Sequence, residues 1–249
     1  MIKSYKVRLE PNKQQEQQMF FQAGCARHIY NWTLAFQKER YEKGEKFISA
    51  MGMSKYLTAY KKQEGNEWLK DCDCMVLVIA YTDACTAFKN FFREVKKGNV
   101  KSYPRFKSKN KTTPAFAPNY QAVKINENTV KLPKIGIVKL SRKNYIPIVK
   151  KYSNPRVTYD GLHWYISVGV EQEDYKPELN PTVLGVDLGI KDLAIVSDGT
   201  VYKNINKTAE MKKLEKRLKR LQRQVSKKYD MNKDGKVYHK TNNIIRNRK

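Results

Sequence analysis

The chain has 249 residues, and its 50 Lys and Arg outnumber 24 Asp and Glu for a formal net charge of +26 at pH 7. That excess repels itself until a polyanion neutralises it, which points to nucleic acid as the partner. Mean hydropathy is -0.74; no run nears the roughly 18 apolar residues of a spanning helix, and Met1–Lys6 has no signal-peptide core, so the expectation is a cytoplasmic chain without membrane association.

At this length one large or two modest cores can form. Residues 2–10 alternate through Ile2, Tyr5, Val7 and Leu9 as a half-buried strand does, and Pro11-Asn12 ends it. From Lys13 to about Val95 the apolar spacing becomes helical. Met19, Phe20, Ala23, Ile29, Tyr30 and Leu34 fit a period of about 3.6, and so do Val76, Ile79, Ala80, Cys85 and Phe88. Gly44, Gly52 and Gly65 are expected to divide this segment into three or four helices. Within it, Arg27, Asn31 and Trp32 are expected within reach of one another, while His28 has no acid or nucleophile at matching spacing and reads as a helix-surface or core residue. Of the four cysteines, Cys25 and Cys85 fall at apolar helical positions. Cys72-Asp-Cys74 is a CxC with no second pair at zinc-ribbon spacing, so reduced thiols and no zinc are expected.

Lys96–Thr113 interleaves cations with Tyr103, Pro104 and Phe106. It reads either as a charged linker or as a stiffened nucleic-acid contact in which Tyr103 and Phe106 stack on bases. Residues 114–173 switch to period two: Val123/Ile125, Val130/Leu132, Ile135/Ile137, Val157/Tyr159 and Trp164/Ile166/Val168 are short strands with Asn, Pro and Gly turns between them, as in a small barrel. Pro177–Pro181 reads as a linker. The apolar run 183–194 then reads as a buried strand carrying Asp187 into a glycine-relieved turn. A buried carboxylate needs compensation, and in so basic a chain a divalent metal facing a phosphodiester is the expected partner. A second strand, Leu193–Val196, turns at Ser197-Asp198-Gly199 into Val201-Tyr202.

In the tail, Leu214, Leu218, Leu221 and Val225 make a narrow apolar stripe with Arg217, Arg220 and Arg223 on other faces. The stripe packs and the cations suit a phosphate backbone. Asp230, Asn232, Asp234 and Gly235 imitate a calcium loop, but Thr241 stands where the bidentate Glu belongs, so a solvated turn is expected. Asp187 itself has three readings on spacing: a turn-capping residue, a phosphate-approaching Asp of an actin-like ATPase, or the first-strand carboxylate of an RNase H-like nuclease. Net charge and the long basic stretch before it favour the nuclease.

Taken in order, Tyr5–Pro11, Arg27–Trp32, Pro104–Lys109, Val130–Gly136 and Val186–Ala194 resemble the TnpB/OrfB family of insertion-sequence proteins, transposase-associated relatives of the type V CRISPR effectors. The resemblance implies an α+β fold. A helical recognition domain (13–95) would be inserted in a small wedge-type β-barrel (1–12 and 96–176), followed by a RuvC-like, RNase H-like segment (182–249). It implies binding of a guide RNA and target DNA, with sequence read by base pairing. Asp187 matches the family's first catalytic carboxylate, for which Mg2+ is the expected cofactor. The family's later Glu, zinc ribbon and final Asp have no counterpart before Lys249. The expectation is therefore a truncated nuclease segment that does not cleave alone and that a separate C-terminal polypeptide could complete; the alternative is a nuclease-dead nucleic-acid-binding protein or repressor. Expected nucleic-acid contacts are Arg27, Tyr30, Trp32, Tyr103, Arg105, Phe106, Lys107, Lys109, Lys191, Arg217, Arg220 and Arg223.

Overall fold

A capping box starts the longest helix. The Asn12 side chain accepts from the Gln15 amide (2.8 Å) while the Gln15 side chain accepts from the Asn12 amide (3.1 Å), satisfying two of the donors that a helix start leaves orphaned. This is seen in a computed structural model of the chain, which describes residues 1–99, 103–109, 112–174 and 183–233. Two units are present, Met1–Gln172 and Glu173–Lys249, and each is taken by itself.

In the first unit, strand β1 (Ile2–Glu10) runs into helix α1 (Lys13–Glu42). Helix α1 ends at Gly44, whose φ of 72° suits the left-handed stop. Helices α2 (Ala50–Tyr60) and α3 (Cys74–Lys96) follow, capped by Ser49 and Asp73. Gly52 does not punctuate the segment as expected. It lies in the first turn of α2, where its amide donates to Ser49 Oγ at 3.4 Å, because the cap three residues earlier outweighs glycine's low helix propensity.

Short strands β2 (Ala115–Phe116), β3 (Lys124–Ile125), β4 (Thr129–Leu132), β5 (Gly136–Leu140), β6 (Ser153–Tyr159) and β7 (Trp164–Glu171) complete the unit. With β1 they form an antiparallel sheet of order β2-β6-β7-β1-β5-β4-β3. β1 is central, pairing Ile2 to Glu171 through Leu9 to Trp164 on one side and Leu9 to Leu140 on the other. Pro155 is tolerated in β6 because the ladder to β7 shifts register between Ser153 and Arg156, where Asn154 takes a positive φ of 46°. Ile137 faces outward, whereas Val138 and Leu140 are buried.

Helices and sheet share one core. Val7 and Leu9 of β1, Met19 and Ala23 of α1, Val76 and Ala80 of α3, and Trp164, Ile166 and Val168 of β7 belong to it. Phe20 of α1 meets both Tyr159 and Trp164 edge-on at 5.0 Å. Aromatic contacts of this kind contribute about 0.5–1.5 kcal/mol beyond burial.

In the second unit, β8 (Val186–Asp187), β9 (Asp192–Val196) and β10 (Val201–Lys203) form a sheet of order β10-β9-β8, followed by helix α4 (Ala209–Lys233). The expected Ser197-Asp198-Gly199 turn is present: Asp198 Oδ1 accepts from the Thr200 amide at 2.8 Å and Gly199 has φ 88°. The expected burial of the 183–194 run is not found. Val183, Leu184, Val186 and Leu188 are 55–89% exposed, because β8 is a two-residue edge strand paired only with β9 among the described residues. Val225 of the α4 stripe is buried, but Leu214, Leu218 and Leu221 are not. The Pro177–Pro181 linker, the end of the calcium-loop look-alike and residues 234–249 lie outside the described residues. Among those described, no helix is long and apolar enough to cross a membrane.

Candidate nucleic-acid interface

The basic-aromatic segment 103–109 is fastened to α1. Asn31 donates through Nδ2 to the Lys107 carbonyl at 2.9 Å and accepts from the Lys107 amide through Oδ1 at 2.7 Å. One amide side chain thus copies a strand partner and holds residue 107 in both directions. The Lys107 Nζ lies 3.7 Å from the centre of the Tyr30 ring. Tyr30 is buried beside Leu34, Ala84 and Phe88, so its ring serves the fold and Lys107 together. Desolvation, offset in part by Asp83, lowers the Lys107 ammonium below its ordinary range. Either side of this anchor, Tyr103, Arg105, Phe106 and Lys109 are exposed.

Arg27 lines a cavity of about 70 Å³ together with Asp83, Lys107 and Arg156. Arg156 of β6 grips Asp83 of α3 with both terminal nitrogens, at 3.1 and 3.2 Å, which ties the helices to the sheet. Three cations around one carboxylate leave a local positive excess. Asp83 and Arg156 were not singled out from sequence; they are 73 residues apart and neither carries a local signal.

Trp32 has different neighbours from Arg27. It stacks on Tyr60 at 4.5 Å and on Phe36 at 5.6 Å. Arg27 and Asn31 thus share Lys107 as a neighbour, while Trp32 packs on Phe36 and Tyr60. His28 stands as expected: its Nε2 is 2.9 Å from the Tyr60 hydroxyl, and burial followed by the Arg27 charge lowers its pKa below the ordinary value.

Cys72 is buried, with its Sγ donating to Gln22 Oε1 at 3.0 Å, while Cys74 is exposed at the start of α3. A hydrogen bond with Cys25 and burial hold the Cys72 thiol far above the usual range, so it stands in this core as a protonated thiol.

In the second unit, Asp187 ends β8 opposite Ile195. The turn after it needs glycine. A Cβ on Gly189 would stand 2.9 Å from the Asp192 carbonyl oxygen. Asn204 closes the turn from outside, donating from Nδ2 to the Ile190 carbonyl at 3.0 Å. Gly185 and Ser197 hold the start of the strand, the Gly185 amide donating to Ser197 Oγ at 3.0 Å. Asp187 and Lys191 are thus presented in the open on a fixed loop. No three His, Cys, Asp or Glu side chains cluster as metal ligands among the described residues. Arg217, Arg220 and Arg223 are exposed along α4, and Arg223 shares a shallow groove with Lys219 and Lys227.

Two parts of the chain match families of insertion-sequence OrfB proteins: residues 1–46 match one described as "Helix-turn-helix domain" and residues 165–247 one described as "Probable transposase". Over 230 residues the chain is 34% identical to "Putative RNA-guided DNA endonuclease InsQ" of Escherichia coli (strain K12), covering 91% of this chain and 54% of that protein. It is 26% identical over 230 residues to a "Putative RNA-guided DNA endonuclease" of Streptomyces pristinaespiralis, covering 91% and 55%. The chain thus spans about half the length of these curated relatives. A solved structure, "Cryo-EM structure of the Cas12f1-sgRNA-target DNA complex", aligns over 92% of this chain and 62% of that one at TM-score 0.37 and 15% identity. The chain belongs to the TnpB/OrfB family of insertion-sequence proteins.

Proposed function

We propose that this chain binds a guide RNA and the DNA paired with it, as part of an RNA-guided DNA endonuclease acting in the cytoplasm. The observation that carries this reading is the Asn31-anchored segment, which holds Arg105, Phe106 and Lys109 outward on a rigid helix in a chain of net charge +26. Phosphate neutralisation then supplies affinity, and stacking holds unpaired bases. Residues 13–95 would act as the recognition helices. The sheet formed by 1–12 and 96–176 would act as a wedge-type barrel cradling the duplex by shape, and 182–249 as a RuvC-like segment.

Arg27, Trp32, Tyr103, Arg105, Phe106 and Lys109 are assigned to nucleic-acid contact in the first unit, and Lys191, Arg217, Arg220 and Arg223 in the second. Tyr30 and Lys107 are assigned to holding the segment in place. Asp187 is assigned as a catalytic carboxylate, a Mg2+ ligand whose fellow ligands would come from outside the described residues.

Recovering the chain from cells and sequencing the RNA bound to it tests the reading. Enrichment of a transcript from the chain's own locus is expected; RNA in proportion to total cellular abundance overturns guide binding. Asp187→Ala should abolish guide-dependent DNA cleavage in any preparation where the chain supports it, with RNA affinity within about twofold of the parent, since a carboxylate contributes no phosphate contact.

A further inference from the structure

The end of the α1–α3 pair carries an aromatic groove that joins two of the proposed contacts, Tyr103 and Phe106, to Tyr41, which is not among them. Two cavities, of about 430 and 720 Å³, share Tyr41 and Tyr103 and so adjoin. Each is in the range of roughly 300–1,000 Å³ typical of ligand pockets. Phe47, Phe91 and Phe92 wall the first, and Phe106 the second.

Within the groove, Tyr103 is braced edge-to-face by Phe88 and Phe91, with ring centres at 5.4 Å in both cases. Phe92 is braced by Phe47 at 5.8 Å. Tyr41 and Phe106 differ from these. They are 75% and 58% exposed, and neither has a ring partner among the described residues. Both rings open onto the same groove as the braced Tyr103, which gathers exposed aromatic surface in one place.

Charge selects the occupant. Lys38 and Arg105 line the groove, Lys38 being taken by Glu42, and the last turn of α3, which gives the groove Val95, also carries Lys96. The two acidic lining residues are already engaged, Glu45 with Arg40 and Glu42 with Lys38 at 3.7 Å. Open rings beside the Arg105 guanidinium, with both lining carboxylates already neutralised, match a chain that carries flat π-faces and a phosphate at every step.

We propose that this groove, centred on Tyr41, Tyr103 and Phe106, is a stacking site for unpaired nucleotides of single-stranded nucleic acid. A base inside a duplex shows only its edges, whereas an unpaired base offers a face to each ring. The proposal rests on the reading of the chain as a nucleic-acid binder and adds which form of nucleic acid this surface takes.

Fluorescence anisotropy on the full chain tests it, using a labelled oligothymidine of about twelve nucleotides, within the length range of single-strand sites, and a blunt duplex of matched phosphate count. Stacking on one ring is worth a factor of about 5 to 150 in affinity. The double variant Tyr41→Ala/Phe106→Ala should therefore lose about tenfold or more on the single strand and under about twofold on the duplex. Tyr41→Phe/Phe106→Tyr should keep both affinities. In the parent chain, 5-iododeoxyuridine in the oligonucleotide should photocrosslink to peptides containing Tyr41 or Tyr103. Unchanged single-strand affinity in the alanine variant, equal losses on both substrates, or crosslinks confined to other peptides overturns the proposal. A parent chain that binds neither substrate overturns the nucleic-acid reading itself, and the proposal with it.

Discussion

Asn31 and Lys107, 76 residues apart, exchange two hydrogen bonds between one side-chain amide and one backbone residue. Because the side chain satisfies both backbone groups, the segment around residue 107 is positioned without being part of a sheet. Its cations then project from a fixed base, which lowers the ordering cost of binding.

Removing this tie separates positioning from charge. Asn31→Ala leaves net charge unchanged and leaves the Lys107 amide and carbonyl to other partners. Each lost hydrogen bond costs about 0.5–1.5 kcal/mol, so the expected loss is about 1–3 kcal/mol in urea unfolding. Trypsin cleavage after Arg105, Lys107 and Lys109 should also accelerate. An unaltered cleavage pattern would show that the tie does not hold the segment.

His28 gives the first unit a pH dependence with a defined sign. Burial and Arg27 lower its folded pKa, whereas the unfolded chain protonates near about 6.5. Between that value and the lowered folded one, the unfolded state binds more protons. Stability should therefore fall as pH drops below about 6.5 and lose nothing more through His28 once below the folded pKa. The contribution of His28 should vanish in His28→Gln, measured as the difference in urea midpoint between neutral and mildly acidic buffer. A variant that keeps the full parental slope would assign the effect elsewhere.

Gly189→Ala addresses the Asp187 turn. The added Cβ would meet the Asp192 carbonyl oxygen at 2.9 Å, and a backbone atom cannot rotate away as a side chain can. Hydrogen exchange of β9 amides should quicken while the first unit is unaffected. Equal exchange in both forms would mean that the turn has room.

The arginines of α4 are expected to act through phosphates. Changing Arg217, Arg220 and Arg223 together to Gln should weaken RNA binding regardless of sequence and flatten its salt dependence by up to about two to three log units per log unit of salt. A loss of affinity with an unchanged slope would point to a non-electrostatic role.

Much of the architecture could be read from periodicity. The strand at 2–10, the helices with apolar Met19, Ala23, Val76 and Ala80, and the 193–202 hairpin all follow from local spacing and turn chemistry. What spacing could not supply is which partner covers a residue. Tyr30 looks like a stacking residue for bases but is covered by Lys107, while Trp32, half-buried, keeps part of its ring open and stacks on Tyr60; both partners lie far along the chain. The 183–194 run was apolar enough to predict burial, yet an edge strand buries only what a neighbour covers. Gly52 looked like a break because its effect depends on Ser49 acting as cap.

The central claim is that this surface binds nucleic acid mainly by neutralising phosphates, and its salt dependence tests that most directly. Binding of a structured RNA to the full chain should weaken linearly on a log–log plot between about 50 and 200 mM salt, by about 10³-fold or more if six or more phosphates are engaged. Affinity that is weak throughout, or that holds constant across that range, would contradict the account.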